Sequence, residues 1–357
     1  MAALITNLIS NVTAPVNFYL MQGLLKAARA NMPYFNGSLP GELMENKGAY
    51  SVRYERIENL AAATTALGEP TGNATFFNGR DAVNPTVTRV DANMAKYGNV
   101  ITLTEEVDLI QVNARAMRFM DTLGENAGRS LNLLQQTAIR TGATTKRYAG
   151  GVASDAVAIT AIDANDIRYV VNQLNRADAM VFDPLSDGST NIGSAPIRAS
   201  YFGTCHPDVE EDIRQITGFN PVENYASHTS IYPGEFGTLG GVRWCVSTLA
   251  AVTSAAGTTS VVGFRGAGTT TNDVYSCLIY GKEAMGSVGL GETMTKEIYM
   301  GGDRIPAVQL ISHSPGSSGV ADPLNEVGSL GWKAFHAGVV LNANWIVELR
   351  VLSADIT

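Results

Sequence analysis

The chain has 357 residues, 25 Lys and Arg against 33 Asp and Glu, and a formal net charge of −8. Charged residues make up 16% of it, against about 25% in an ordinary soluble domain, so a chain long enough to bury a large core carries a thin charged coat and reads as one whose surface is covered by partners. An acidic balance without a basic block excludes a dedicated nucleic-acid binder, no run of about 18 apolar residues offers a membrane helix, and an apolar N-terminus whose first basic residue is Lys26 lacks the charge order of a secretory signal.

Residues 1–36 read as an extended or partly helical arm, whose helix either belongs to the domain's own core or packs on a neighbour. Within it, Phe18, Met21, Leu24, Leu25 and Ala28 fall at helical spacing, and Pro33 ends the helix by pushing Met32 out of the helical region. Residues 37–104 alternate between β-like runs and turn chemistry. Tyr50–Ile57, Val87–Val90 and Asn99–Thr104 alternate in period two, with Gly68, Pro70, Gly72 and Asn78-Gly79 between them. This predicts a long β-hairpin with an irregular tip, which would have to lie on another chain or on its own body because a lone two-stranded ribbon is marginal in water.

From Glu105 to Arg140 there is no proline, and Leu109, Val112, Ala116, Met120, Leu123, Ala127, Leu131, Leu134 and Ala138 form one helical stripe. Thr104 caps this predicted helix, acidic residues occupy its first turn and Gly142 ends it; Gly124 and Gly128 mark a bend or a close approach. Beyond Gly150-Gly151 the pattern is mixed. Asp163 opens a helix running to about Arg176, Tyr201–Cys205 reads as a buried strand, and Pro207 starts another helix. Val242–Val246 and Ser276–Gly281 are further strands, and Ala337–Val340 and Trp345–Leu352 close the chain as strands. The order gives an α+β chain rather than a doubly wound sheet. Cys205, Cys245 and Cys277, an odd and widely spaced set, read as reduced thiols and an intracellular assembly site.

The search for chemistry yields no catalytic, metal or cofactor residues. There is no nucleophile elbow and no phosphate-binding loop. Gly266-Ala267-Gly268 lacks the third glycine of a dinucleotide fingerprint, Thr271 standing in its place, and reads as a surface turn. His206, His228, His313 and His336 have no metal-ligand spacing, and His206 before Pro207 reads as a helix-entry residue. The acid cluster Asp208, Glu210, Glu211 and Asp212 reads as charge favoured in the first turn of a helix rather than a metal site.

Several local runs carry a resemblance. Tyr201-Phe202-Gly203-Thr204-Cys205-His206-Pro207-Asp208-Val209 is a strand leading into a His-Pro helix, and Gly234-Glu235-Phe236-Gly237-Thr238-Leu239-Gly240-Gly241-Val242-Arg243-Trp244 is a glycine-spaced loop leading into a strand. Tyr280-Gly281-Lys282-Glu283-Ala284-Met285-Gly286 follows the next strand. With the order arm, hairpin, long helix, α+β body and closing strands, they resemble the major capsid proteins of tailed phages of the Hong Kong 97 type, over essentially the whole chain. The run Asp322-Pro323-Leu324-Asn325-Glu326-Val327-Gly328-Ser329-Leu330-Gly331-Trp332-Lys333 is similar to the Enquatrovirus-type branch.

The resemblance implies an N-terminal arm at 1–36 and an E-loop hairpin at 37–104. A peripheral domain with the spine helix spans 105–162 and an axial domain 163–292, and 293–357 returns to the peripheral domain. It implies pentamers and hexamers of this chain closing into an icosahedral shell around double-stranded DNA held by weak contacts, assembled in a bacterial cytoplasm without a membrane. Portal and scaffolding proteins are implied partners, decoration proteins are allowed, and no cofactor is expected. Phe18, Tyr54, Arg56, Phe76, Phe77, Arg80 and Arg89, on the arm and hairpin, are the candidate intersubunit contacts. The alternatives are an encapsulin-type nanocompartment shell holding a cargo enzyme, an enzyme with an unrecognised site, and a tail or fibre protein, the last disfavoured by the lack of repeats.

Overall fold

A computed structural model describes residues 32–41, 51–58, 60–62, 64, 84–104, 115–157, 160–182, 199–225, 232, 234–257, 263–266, 271–288, 295–296, 304–305, 308–313, 324 and 326–355. The helical reading of the arm and the hairpin tip at 65–83 lie outside them.

In chain order the elements begin with β1 (Leu39–Gly41), β2 (Ser51–Ile57), β3 (Val87–Asn93) and β4 (Ala95–Thr104), and continue with helix α1 (Arg115–Gly142) and β5 (Thr145–Tyr148). Helix α2 (Ala164–Arg176), β6 (Tyr201–Cys205), helix α3 (Pro207–Gln215), β7 (Asn220–Pro221), β8 (Glu235–Leu239), β9 (Val242–Val246), β10 (Val252–Thr253) and β11 (Val274–Tyr280) build the central body. The chain ends with β12 (Met285–Val288), β13 (Thr295–Lys296), β14 (Arg304–Ile305), β15 (Val308–His313), β16 (Val327–Val340) and β17 (Ile346–Val351).

The body is an eight-stranded mixed sheet in the order β5-β17-β11-β6-β9-β8-β7, with β10 added on β11. Its central strands β6, β8, β9, β11 and β17 are buried on both faces, so they do not alternate between buried and exposed positions as a half-exposed strand does. On one face lie α2 and α3, whose Ile167, Val170, Leu174, Val209 and Ile213 meet Tyr201, Trp244, Ile279, Val347, Leu349 and Val351. On the other face Phe202, Leu278, Tyr280 and Ile346 pack with Tyr34 and with Ile139 and Ala143 at the end of α1. The caps are those the sequence predicts. Asp163 accepts the Asp166 amide at 2.8 Å to open α2, and the His206 imidazole accepts the Asp208 amide at 3.2 Å, with Pro207 beginning α3.

The second sheet, β1-β12-β16-β15 with β4 also on β16, lies on α1. Met120, Leu123, Ala127 and Leu131 of α1 are buried against Leu330, Trp332, Ala334 and Val308, which confirms the middle of the predicted stripe. At 28 residues and 1.5 Å of rise each, the described part of α1 is about 42 Å long. Residues 105–114, predicted to start it, lie outside the described set. Towards its C-terminus the buried positions move from the predicted Leu134 and Ala138, both half-buried, to Gln135, Gln136 and Ile139. The helix ends at Gly142, where an added Cβ would lie 2.4 Å from Val340 Cγ2, so glycine permits the close crossing of β16.

The hairpin is shorter than 37–104. β2 pairs with β3 from Ser51↔Asn93 to Ile57↔Val87, but β4 leaves the hairpin and pairs with β16 from Ala95↔His336 to Thr104↔Val327. Tyr97, Ile101 and Leu103 of β4 pack toward α1 beside Trp332 and Leu330, and this apolar row draws the strand into the second sheet. Period-two alternation identifies a strand and its faces but says nothing about its partner.

Candidate functional site

Two surfaces stand out. The first is the hairpin. Its outward row, Ser51, Arg53, Glu55 and Ile57 on β2 with Val87, Arg89, Asp91 and Asn93 on β3, is exposed. The charges sit in opposite pairs across the ladder. Arg53 donates to both carboxylate oxygens of Asp91 at 2.6 and 2.9 Å, and Arg89 donates to Glu55 at 2.9 Å. Each pair is solvent-exposed and supplies little stability; together they leave a neutral ribbon ending in exposed Ile57, Val87 and Leu60.

The inward row faces the chain's own body. Val52, Tyr54 and Ala92 pack with Met94, Val288, Ala337 and Val339. The Tyr54 hydroxyl donates to Leu39 O at 3.3 Å and lies 3.5 Å from Ser287 O, and burial pushes its pKa up to about 12. Arg56 donates to Leu341 O at 3.1 Å and to Glu58 at 3.0 Å, and Glu58 also accepts from Thr88 at 2.7 Å. The structure thus places candidate contacts Tyr54 and Arg56 on the inward row of the hairpin, against the chain's own body, and Arg89 on the outward row. Phe18, Phe76, Phe77 and Arg80 lie outside the described residues.

The second surface is the face of β4, β16 and β15 turned away from α1. Gly98, Ser329 and Gly331 lie along a trough of about 510 Å³ that is also lined by Val100 and Ile311, with Lys96, Lys333 and His313 beside it and no carboxylate in its lining. Val100 is 60% exposed, and Phe335 and Val327 are exposed on the same side. An added Cβ at Gly98 would lie 2.5 Å from Trp332 O, so the trough depends on glycine.

The groups considered for chemistry are tied into the fold. Asp208 pairs with Arg265, accepts the Tyr275 hydroxyl at 2.8 Å and lies 3.1 Å from His206 Nδ1; burial pushes the His206 pKa down. Glu210 is bound by Arg214 at 2.7 Å, and Asp212 accepts the Ala354 amide at 3.1 Å. Among the described residues no group of three or more His, Cys, Asp or Glu could hold a metal ion. His313 lines the trough, His336 is buried, and His228 is outside the described set. The three cysteines are buried and reduced, and burial raises the pKa of each.

Two buried ion clusters escape hydropathy reading. Glu235 and Arg243, both nearly inaccessible, form a paired salt bridge, with Tyr225 donating to Glu235 at 3.0 Å and Tyr232 under the guanidinium at 4.4 Å. Glu348, fully buried, receives Arg140 at 3.0 Å, Arg350 at 3.0 Å and Ser276 at 2.7 Å, tying the end of α1 to β17. Burial alone would raise its pKa, but the Ser276, Arg350 and Arg140 contacts prevail and lower it. The signal in the sequence is the pair Glu348 and Arg350 inside the apolar closing strand.

No family model and no curated protein matches the chain. Solved structures do. The capsid of Ralstonia phage GP4 aligns with a TM-score of 0.62 at 13% identity, covering 92% of this chain and 93% of that one. The capsid of Helicobacter pylori bacteriophage KHP30 aligns at 0.55 with 9% identity over 90% and 91%, and that of cyanophage Pam1 at 0.54 with 11% identity over 92% and 94%. The fold is the Hong Kong 97-type capsid fold. In this Hong Kong 97-type fold the buried ion clusters are ties within the eight-stranded sheet and between it and α1, and the hairpin row and the trough are exposed, partly apolar surfaces.

Proposed function

We propose that this chain is the major capsid protein of a tailed phage, many copies of which close into an icosahedral shell around double-stranded DNA. The observation that carries the reading is the likeness to the phage GP4 capsid along nearly the full length of both chains. The sparse charge and the exposed apolar residues of hairpin and trough support it, because a lattice covers such surfaces. Weak contacts repeated over many neighbours add up in a closed shell.

In this reading the hairpin is the E-loop, 1–36 is the arm, α1 with the closing strands forms the peripheral domain, and 163–292 forms the axial domain. Lys-rich gripping of DNA is not expected of a chain with net charge −8. Portal and scaffolding proteins, and in some particles decoration proteins, are the further partners. Assembly takes place in the host cytoplasm, the role is structural rather than enzymatic, and the likeness of the run 322–333 to the Enquatrovirus-type branch supports a relation to that branch. No observation favours the nanocompartment reading.

The test is to express the chain with the scaffolding protein of its own source and examine the product by electron microscopy. Closed icosahedral particles of more than sixty subunits are expected. A stable 37.8 kDa monomer that forms no particles under these conditions would overturn the proposal.

A further inference from the structure

β6 and β11 run antiparallel with Leu278 opposite Thr204, Ile279 opposite Gly203 and Tyr280 opposite Phe202. One further step of the same register sets Cys277 opposite Cys205. The backbone hydrogen bonds tell which kind of pair this is. β17 occupies one edge of β11 at Tyr275, so β10, which also pairs there, shares the other edge with β6. Ser276 donates its amide to Ala251 O on that edge. By alternation Leu278 and Tyr280 aim their backbone groups at β6 on that same edge, and Cys277 aims its own at β17. Cys205 likewise turns away from β11, since its carbonyl accepts the Ser247 amide beyond β9.

The paired register ends at Leu278↔Thr204; one residue on, Cys205 and Cys277 stand in the position of a non-hydrogen-bonded pair, for which Cα atoms are typically about 4.5 Å apart and side chains closest. That separation lies at the short end of the roughly 4.4–6.8 Å span of disulfides. Both side chains are fully buried in the same layer, under α2 and α3. Cys245 is on the opposite face with Phe202 and Tyr280; only its carbonyl, 3.8 Å from Cys205 Sγ, is near the pair.

We propose that Cys205 and Cys277 are a latent cross-strand disulfide site, oxidised by thiol–disulfide exchange with a small-molecule disulfide of the glutathione type. One cysteine thiolate attacks the small disulfide, forming a mixed disulfide and expelling one small thiolate. The second cysteine thiolate attacks the protein sulfur of that adduct, forming the Cys205–Cys277 bond and expelling the other small thiolate. The two cysteine protons pass through solvent to the expelled thiolates, so two protein thiols are oxidised and one small disulfide is reduced to two thiols.

In the closed fold burial keeps the thiols protonated, with Cys277 pushed up to about 12, so reaction proceeds through local opening of the sheet. The bond would staple β6 to β11 at the mouth of the excursion 206–276, which carries α3 and β7 to β10. The inference stands on strand register and is independent of shell formation.

The folded chain is incubated with oxidised glutathione just below its unfolding transition, at a temperature where a small maleimide labels all three cysteines in a parallel sample. Free thiols are then alkylated after denaturation and the peptides mapped. The expected result is loss of two thiols, one peptide linking Cys205 to Cys277, and Cys245 alkylated. A Cys245→Ser variant should give the same link, and Cys277→Ala none, with a higher unfolding midpoint for the oxidised wild type than for identically treated Cys277→Ala. Three remaining thiols, a link through Cys245, or a link only between chains would overturn the proposal.

Discussion

Acid should weaken this fold through one imidazole. His336, 2% exposed on β16, has Nδ1 3.2 Å from Val288 O and its ring 5.5 Å from that of Phe35, and Nε2 has no hydrogen-bond partner among the described residues. Burial pushes its pKa from 6.5 down to about 4, against a smaller upward pull from Val288 O. The folded value lies below the unfolded one, so as pH falls the unfolded chain takes the proton first; the stability is complete above about pH 6.5 and is lost towards about pH 4. With those two values the loss between about pH 7.5 and about pH 5 is about 2 kcal/mol. The assay is urea unfolding of wild type and His336→Gln at both pH values. Glu348, held ionised, and His206, lowered by burial, also lose stability in acid, whereas Asp166 and Asp212, raised by burial, act in the opposite sense. All four are common to both proteins, so the difference between wild type and variant isolates the His336 imidazole. If the two lose stability in parallel, the reasoning fails.

Further outcomes follow from the packing. Glu235→Gln leaves Arg243 buried without its counter-charge and should cost about 3–5 kcal/mol in denaturant unfolding; a cost below about 1 kcal/mol would contradict this. Leu131→Ala, at 0% exposure on α1, should cost about 2–5 kcal/mol by the same measurement. Gly98→Ala pushes a methyl against Trp332 O and the β16 backbone, so its midpoint should fall by about 1–3 kcal/mol equivalent, and an unchanged midpoint would count against the strand contact. Ile57→Ser with Val87→Ser, both on the exposed row, should change subunit stability by less than about 0.5 kcal/mol each while lowering the particle yield seen by electron microscopy.

Much of the body was legible because its signals are local. Asp163 and His206 cap where capping chemistry predicts, and the runs at 201–205 and 242–246 are apolar enough to need burial on both faces. The stripe on α1 failed where hydropathy stops being informative. Leu134 and Ala138 fit the spacing, yet the helix turns Asn132, Gln135 and Gln136 inward, where Asn132 accepts the Tyr34 amide at 3.3 Å and Gln135 donates to Met285 Sδ at 3.6 Å. Such partners come from segments distant in sequence. The same limit hid the Glu348 cluster, whose cations come from α1, β5 and β17, and the departure of β4 from the hairpin. Of the surfaces, the hairpin was readable in outline. The trough was not, because it exists only when β4 and β16 pair, setting Gly98 opposite Lys333 and Gly331 opposite Val100.

Between β3 and β4 stands a single residue, Met94, buried at 4% exposure among Val288, Ala337 and Val339. The other root of the hairpin is separated from β1 by residues 42–50. On the β4 side the chain leaves a load no slack. What a contact on the outward row applies to β3 passes through Met94 into β4 and β16, and through Val52 and Tyr54 onto Val288, Ala337 and Val339, so both routes bear on the same sheet that lies against α1.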